Sequence, residues 1–228
     1  GLAPADLLHT GALPDLDIYD AQEVSADALR ARAQEVEEAA RAIAGVTNSE
    51  GGSAAHGQAS VALATSTGFR GAYRGSFHSV SASVIAGEGA DMQRDYAHHS
   101  ARHLSDLESA QAVGTRAGTR AVARLHPRKL ATAQMSIIFD PRLGGSLVGH
   151  MLGAITGSAI ARKTSFLLDY LGKQVFAPGI TIIDDPLRPR GLRARPYDGE
   201  GLATHRTAII EDGILTTWLL DSASARQS

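Results

Sequence analysis

Cysteine is absent from this chain. That excludes disulfides, cysteine-ligated zinc, iron–sulfur clusters and thiol nucleophiles. Lysine is scarce: Lys129, Lys163 and Lys173 are the three among 22 basic residues. Such arginine preference fits genomic composition and carries no function by itself. Aromatic residues reach only 5%, although 43% of the 228 residues are hydrophobic and 20% are charged. That balance excludes a disordered or fibrous chain and fits a globular one of one large or two small domains. Long apolar runs are missing too. The 19 residues from Leu143 to Ala161 carry no formal charge, but five are glycine and only seven are large and apolar. Membrane insertion would be poorly driven, so a buried helix is expected there. The first residues are acidic and contain no apolar core of a signal peptide.

What is present is unevenly distributed. Residues 1–110 hold 15 acidic and 7 basic side chains, and residues 111–228 hold 9 and 15, so −8 is followed by +6. The two regions are complementary in charge and suited to face each other or a partner. The net charge of −2 and the lack of a nucleic-acid motif argue against DNA or RNA binding.

After an irregular lead-in over 1–20, Ser25 is a good N-cap. Leu29, Ala33, Val36, Ala40 and Ile43 recur at helical spacing, which predicts an amphipathic helix from Ala26 to Ala44 stopped by Gly45. Between Val46 and Gly89 the alternation of Val80, Ala82, Val84 and Ala86 with serines predicts a meander of about three antiparallel strands. Turns fit at Gly51-Gly52, Gly68 and Gly87–Gly89. A second helix is expected over Ser105–Leu125, with Arg116, Arg120 and Arg124 four apart on a basic face. A short strand is expected at Gln134–Phe139, another at Ile180–Ile183, and a hairpin around Glu211-Asp212-Gly213 between Thr204–Ile210 and Ile214–Leu220. The expected class is α+β, with helices on mainly antiparallel sheets in two lobes, 1–132 and 133–228.

Four features invite a chemical reading. Asp91, Asp95, His99 and His103 are spaced by four, and on a helix they would share one face able to bind a divalent metal. The alternative is a solvated polar face. Gly145, Gly149, Gly153 and Gly157 also recur every four residues. Glycine costs about 1 kcal/mol relative to alanine inside a helix, so the stripe predicts a close neighbour, best explained by helix packing. His150 beside it reads as a structural histidine. The segment Asp184–Gly201 carries Arg188, Arg190, Arg193 and Arg195, which would either bind carboxylates of a peptide or partner or pair with Asp184, Asp185, Asp198 and Glu200. Two motifs fail. Gly144-x4-Gly149 lacks the phosphate-loop lysine, having His150 and Met151 instead, and Ser146 lacks the second glycine of a nucleophile elbow.

Particular strings carry a resemblance. Phe139-Asp140-Pro141-Arg142-Leu143-Gly144-Gly145, Gly157-Ser158-Ala159-Ile160-Ala161, Gln174-Val175-Phe176-Ala177-Pro178-Gly179 and the Asp184–Gly201 segment resemble the TldD/PmbA family. Asn48-Ser49-Glu50-Gly51, Gly68-Phe69-Arg70-Gly71 and Met92-Gln93-Arg94-Asp95-Tyr96 resemble its PmbA branch, also called TldE. The resemblance covers nearly everything beyond about residue 20 and implies further regions before and after this stretch. It implies a cytoplasmic bacterial protein of a group known as modulators of DNA gyrase, working as a TldD–TldE zinc metallopeptidase that processes or degrades peptides.

The resemblance also implies a departure. The TldD paralogue carries His-Glu-x-x-x-His on the helix matching 144–160, where two histidines ligate zinc and the glutamate activates water. Val148, Gly149 and Gly153 stand at those three positions here. No Asp or Glu lies between Asp140 and Asp169, His150 is the only histidine there, and the TldD cysteine ligand has no counterpart. The implied role is a non-catalytic PmbA/TldE-type subunit with no cofactor of its own. Zinc is expected in a TldD-type partner, with a homodimer in that partner's absence, a peptide as ligand and no membrane. Two alternatives stand beside it: an independent metal-dependent hydrolase using Asp91, Asp95, His99 and His103, and a DNA gyrase-modulating interaction protein.

Overall fold

The computed structural model describes residues 3–227. Helix α1, Ala26–Arg41, starts where the Ser25 hydroxyl accepts the Ala28 N–H at 3.2 Å, and its chain leaves through Gly45 at φ +96°. Strands β1 (Val46–Ala64), β2 (Arg70–Ala86) and β3 (Gln93–Ala101) form an antiparallel sheet in that order. The sheet has three strands, but only two of them lie within Val46–Gly89, where three were expected, and Gly51-Gly52 is no turn. Gly51, at φ +113°, sits at a register shift within β1, so one long strand replaces two short ones. A side chain on Gly52 would run into the Ala33 carbonyl of α1. The turn expected at Gly68 is present at Thr65–Phe69, where the Thr65 hydroxyl accepts the Phe69 N–H and Gly68 takes φ +103°.

Helix α2, Ala110–Ala123, is capped by Ser109 and lies beside α1 on one face of the sheet. The preceding residues 104–106 form only a single 3₁₀ turn, so the helix starts later than the sequence predicted. The core between helices and sheet is Val36, Ala40, Val80, Val84, Ala97, Val113, Ala117 and Ala121 with their neighbours. These side chains are small, which lets the layers approach closely. Gly114 and Gly118 face the α1 backbone at Val36 and Ala40, where a methyl group would not fit. The low aromatic content therefore reflects a thin core.

Residues 124–140 contain no helix or strand. The strand expected at Gln134–Phe139 does not form, because no neighbouring strand offers it a partner. Ile137 is 71% and Ile138 96% exposed. Helix α3, Pro141–Ala154, begins at Asp140, whose carboxylate accepts the Arg142 N–H. The single helix expected over 143–161 is broken at Ile155-Thr156, and α4 covers Gly157–Ala161. The break has a cause. The Gly157 N–H donates to the Leu219 carbonyl at 2.7 Å, and the Leu219 N–H donates to Ile155 at 2.9 Å. These bonds pull the junction into a parallel bridge with the C-terminal stretch.

A second antiparallel sheet joins β4 (Ile182–Asp184), β5 (Thr207–Glu211) and β6 (Ile214–Leu215). The expected Asp-Gly hairpin is present, with Asp212 at φ +49° and Gly213 at φ +81°, although β6 is far shorter than predicted. Met151, Ala154 and Ile155 pack on Leu167, Ile209, Ile210 and Leu215 as a second core. The lead-in is ordered by long-range contacts. Leu16 and Ile18 are buried, and their carbonyls accept the Arg190 and Ser76 N–H groups.

Candidate functional site

The second core opens into a cleft of about 440 Å³. Val148 and Leu152 of α3, Ile182 of β4, Ile209 of β5 and Leu219 give it apolar walls. Asp184, Arg193 and Arg195 give it a charged rim. Both arginines are exposed, and neither side chain has a hydrogen bond or ion pair among the described residues. An apolar trough with free guanidinium groups at its mouth suits an extended segment carrying carboxylate or carbonyl groups.

The other arginines of the segment have different fates. Arg190 donates to Asp17 at 2.6 Å and to Asp106 at 2.9 Å. It is therefore paired, but with acids of the first half, not with Asp184, Asp185, Asp198 or Glu200. Those hydrogen bonds to Asp17 and Asp106 raise the Arg190 pKa, and Arg190 lowers that of Asp106. Asp198 instead closes its own turn by accepting the Glu200 and Leu202 N–H groups. Glu200 accepts the Ser222 N–H, and Asp185 lies 3.9 Å from Arg206. Arg188 is exposed.

On α3, Val148 faces the cleft, whereas Gly149, His150 and Gly153 are exposed. The close packing expected along the glycine stripe is found at one position only. Ser224 and Leu220 crowd Gly157, while nothing lies within 4 Å of a methyl group built on Gly145, Gly149 or Gly153. The break at residue 155 turns Gly157 away from the helix face the other three share. The exposed His150 side chain makes no hydrogen bond among the described residues, which is not what the structural-histidine reading expects.

The four-spaced stripe Asp91, Asp95, His99, His103 does not lie on a helix. Strand β3 carries Asp95 and His99, where four residues span about 13 Å. Each residue is engaged separately. Asp95 is buried, and burial alone would raise its pKa. The Arg142 guanidinium at 2.6 Å, the Tyr96 N–H and the nearby Arg124 outweigh that and lower it. Asp95 and Asp140 in turn raise the Arg142 pKa. His99 Nδ1 accepts the Glu108 N–H, His103 lies 3.1 Å from an Asp17 carboxylate oxygen, and Asp91 is exposed in a 3₁₀ turn. Among the described residues no group of three or more His, Asp or Glu side chains converges in a way that would hold a metal.

Sequence reasoning missed the Asp95–Arg142 pair, which joins β3 to the start of α3 across 47 positions. It also missed a stacked pair of histidines, His56 and His78, with ring centroids 4.6 Å apart. His78 is 1% exposed and lies 3.2 Å from Asp20. Burial, then the neighbouring His56, lowers its pKa. The sequence signal was His78 standing in phase with the inward-facing Val80, Ala82 and Val84 of β2.

Fold and cleft together define an α+β architecture in which an apolar trough with a charged rim lies beside α3. The chain belongs to the PmbA/TldD family. The family's "PmbA/TldA metallopeptidase central domain" matches residues 19–125, and its "PmbA/TldA metallopeptidase C-terminal domain" matches residues 132–228. Metalloprotease PmbA of Escherichia coli is 43% identical over all 228 residues, which cover 50% of that protein. A PmbA homologue of Haemophilus influenzae is 36% identical over the same span, again 50% of its length. The chain thus spans about half the length of the curated relatives it matches. A crystal structure from Bacteroides thetaiotaomicron, described as a candidate modulator of DNA gyrase, superposes with a TM-score of 0.93 at 29% identity, covering 100% of this chain and 52% of that one. TldE from Thermococcus kodakarensis shares the fold at a TM-score of 0.73 and 19% identity, over 95% of this chain and 51% of its own. No helix among the described residues is long and apolar enough to cross a membrane.

Proposed function

We propose that this chain is part of a non-catalytic PmbA/TldE-type subunit that holds peptide substrate for a zinc-bearing TldD-type paralogue. The observation that carries the reading is helix α3. It borders the cleft through Val148 and Leu152, yet presents Gly149, His150 and Gly153 where a metal site would need several ligands. A lone exposed histidine does not fit zinc, which takes three or four protein ligands. No hydrolytic step is therefore assigned to this chain. Its part is binding: the apolar trough takes side chains of an extended peptide, and Arg193 and Arg195 hold acidic or carbonyl groups at the rim. The exposed glycine face of α3 supplies a flat surface for the paralogue. Where that paralogue is missing, the same surface pairs two copies. A cytoplasmic setting fits a chain without cysteine.

Co-purification with a TldD-type protein, followed by metal analysis and peptidase assays of each subunit alone and together, tests the reading. Activity that needs both subunits, with zinc confined to the paralogue, is expected. Stoichiometric zinc on this chain alone overturns it. The two alternatives draw less support. The hydrolase reading needs Asp91, Asp95, His99 and His103 to converge, and they are spread along β3 and its flanks. The gyrase reading rests on the description of a structural neighbour.

A further inference from the structure

Apolar surface is unevenly distributed over the molecule. Of the twenty large hydrophobic side chains exposed among the described residues, fifteen fall between Leu130 and Leu220. Single exposed apolar residues are ordinary, but a contiguous run marks an interaction surface. Such a run is present here. Met135, Ile137, Ile138 and Phe139 are exposed, and Leu143 and Leu147 of α3 follow them directly.

Two observations specify what covers this run. The first concerns the backbone. None of residues 134–139 makes a backbone hydrogen bond among the described residues, so their N–H and C=O groups are open to a neighbour. An extended stretch here puts Met135, Ile137 and Phe139 on one side, and β-branched and aromatic side chains favour that conformation. The matching neighbour is a strand. Its main chain pairs with 134–139, and its own apolar side chains close over that side. The second concerns α3. Leu143 and Leu147 lie one turn apart and about 200° round the helix from Gly145 and Gly149. Covering them leaves the glycine face free, so the inference does not depend on the paralogue reading above.

The source of the strand follows from length. The chain spans half of its relatives, and a polypeptide of their full length carries about as many residues again. A covalently joined segment meets this surface at a far higher effective concentration than a second molecule does. The exposed apolar side chains of this lobe also extend to Phe166, Tyr170 and Leu171, beyond what a single strand lent by a second copy would cover. We infer that residues 134–139 become a β-strand in the full-length polypeptide, paired with a strand from the portion outside these 228 residues, and that the same portion covers Leu143 and Leu147.

Hydrogen exchange read by mass spectrometry tests this on the 228-residue chain and on the full-length polypeptide, each without a TldD-type protein. The amides of 134–139 are expected to exchange like an unstructured peptide in the shorter chain. In the full-length protein they are expected to exchange at least a hundredfold more slowly, at every protein concentration. Ile137→Ala is expected to leave the melting curve of the 228-residue chain unchanged. In the full-length protein it is expected to reduce the protection at least tenfold, because only a covered side chain leaves a cavity. Equal exchange in the two proteins overturns the inference. So does protection that grows with protein concentration, which assigns the surface to a second copy, or that needs an added TldD-type protein, which assigns it to the paralogue. Undiminished protection in full-length Ile137→Ala overturns it as well.

Discussion

Asp95 and His78 are the two buried polar residues whose surroundings most constrain them. Asp95 accepts from Arg142 and from the Tyr96 N–H, so truncating it leaves a partly buried guanidinium without its nearest acid. Asp95→Ala is expected to cost about 1.5–3 kcal/mol in urea unfolding, the usual worth of hydrogen bonds to charged groups. An unchanged midpoint would show that the pair merely coexists with the fold. His78 makes a pH prediction. Its folded pKa lies below the ordinary 6.5, so below that pH the unfolded chain takes up a proton that the native state resists. Stability is full above about pH 6.5 and declines as pH falls towards the folded value. Thermal melts between pH 8 and pH 5.5 are expected to fall in wild type and to flatten in His78→Gln. Neither residue declared its role in the sequence. Asp95 was visible as one of four evenly spaced polar residues, but its real partner is 47 positions away. Even spacing fits both helix and strand, and only the chain's long-range pairing chose between them.

Two helices carry glycines for opposite reasons. On α2, Gly114 and Gly118 let the helix approach the α1 backbone, where an added methyl group meets carbonyls that cannot yield. Gly114→Ala is expected to destabilise by about 1–3 kcal/mol, the cost of overpacking a close-packed site. On α3, Gly149 and Gly153 face open space. Gly149→Ala should therefore stabilise the isolated chain by up to about 1 kcal/mol through helix propensity. The same substitution should weaken co-purification with a TldD-type protein, and a gain in stability with undiminished association would detach the glycine face from any partner. Elements with strong local signals were legible: α1 from its Ser25 cap and apolar period, and the β5–β6 reversal from Asp212-Gly213. The exceptions had non-local causes. The α3–α4 break is imposed by Leu219, Gly52 of β1 lies against the Ala33 carbonyl of α1, and residues 134–139 lack a partner strand.

At the scale of the whole molecule, the two halves are tied by a few polar hooks. Arg190 grips Asp17 and Asp106, while Arg102 donates to the Gly191 and Leu192 carbonyls at 3.2 and 2.6 Å. These bonds pin the segment that presents Arg193 and Arg195 to the cleft. Arg190→Ala is expected to leave the melting temperature nearly unchanged while accelerating tryptic cleavage at the Arg193–Ala194 bond. Equal digestion rates would mean that the Arg102 bonds and the buried Ala194 hold the segment without Arg190. The −8 and +6 halves anticipated such contacts, but composition could not name the residues. The unpaired stretch Gln134–Phe139 has a consequence of another kind. It is a six-residue window of β-favouring, uncharged side chains, with Ile138 almost wholly in water. Such windows seed cross-β aggregates when left uncovered. Arg128 and Lys129 on one side and Asp140 and Arg142 on the other stand as gatekeepers. The shelf life of the chain in concentrated solution is thus set by those flanking charges, and high salt, which screens them, will shorten it.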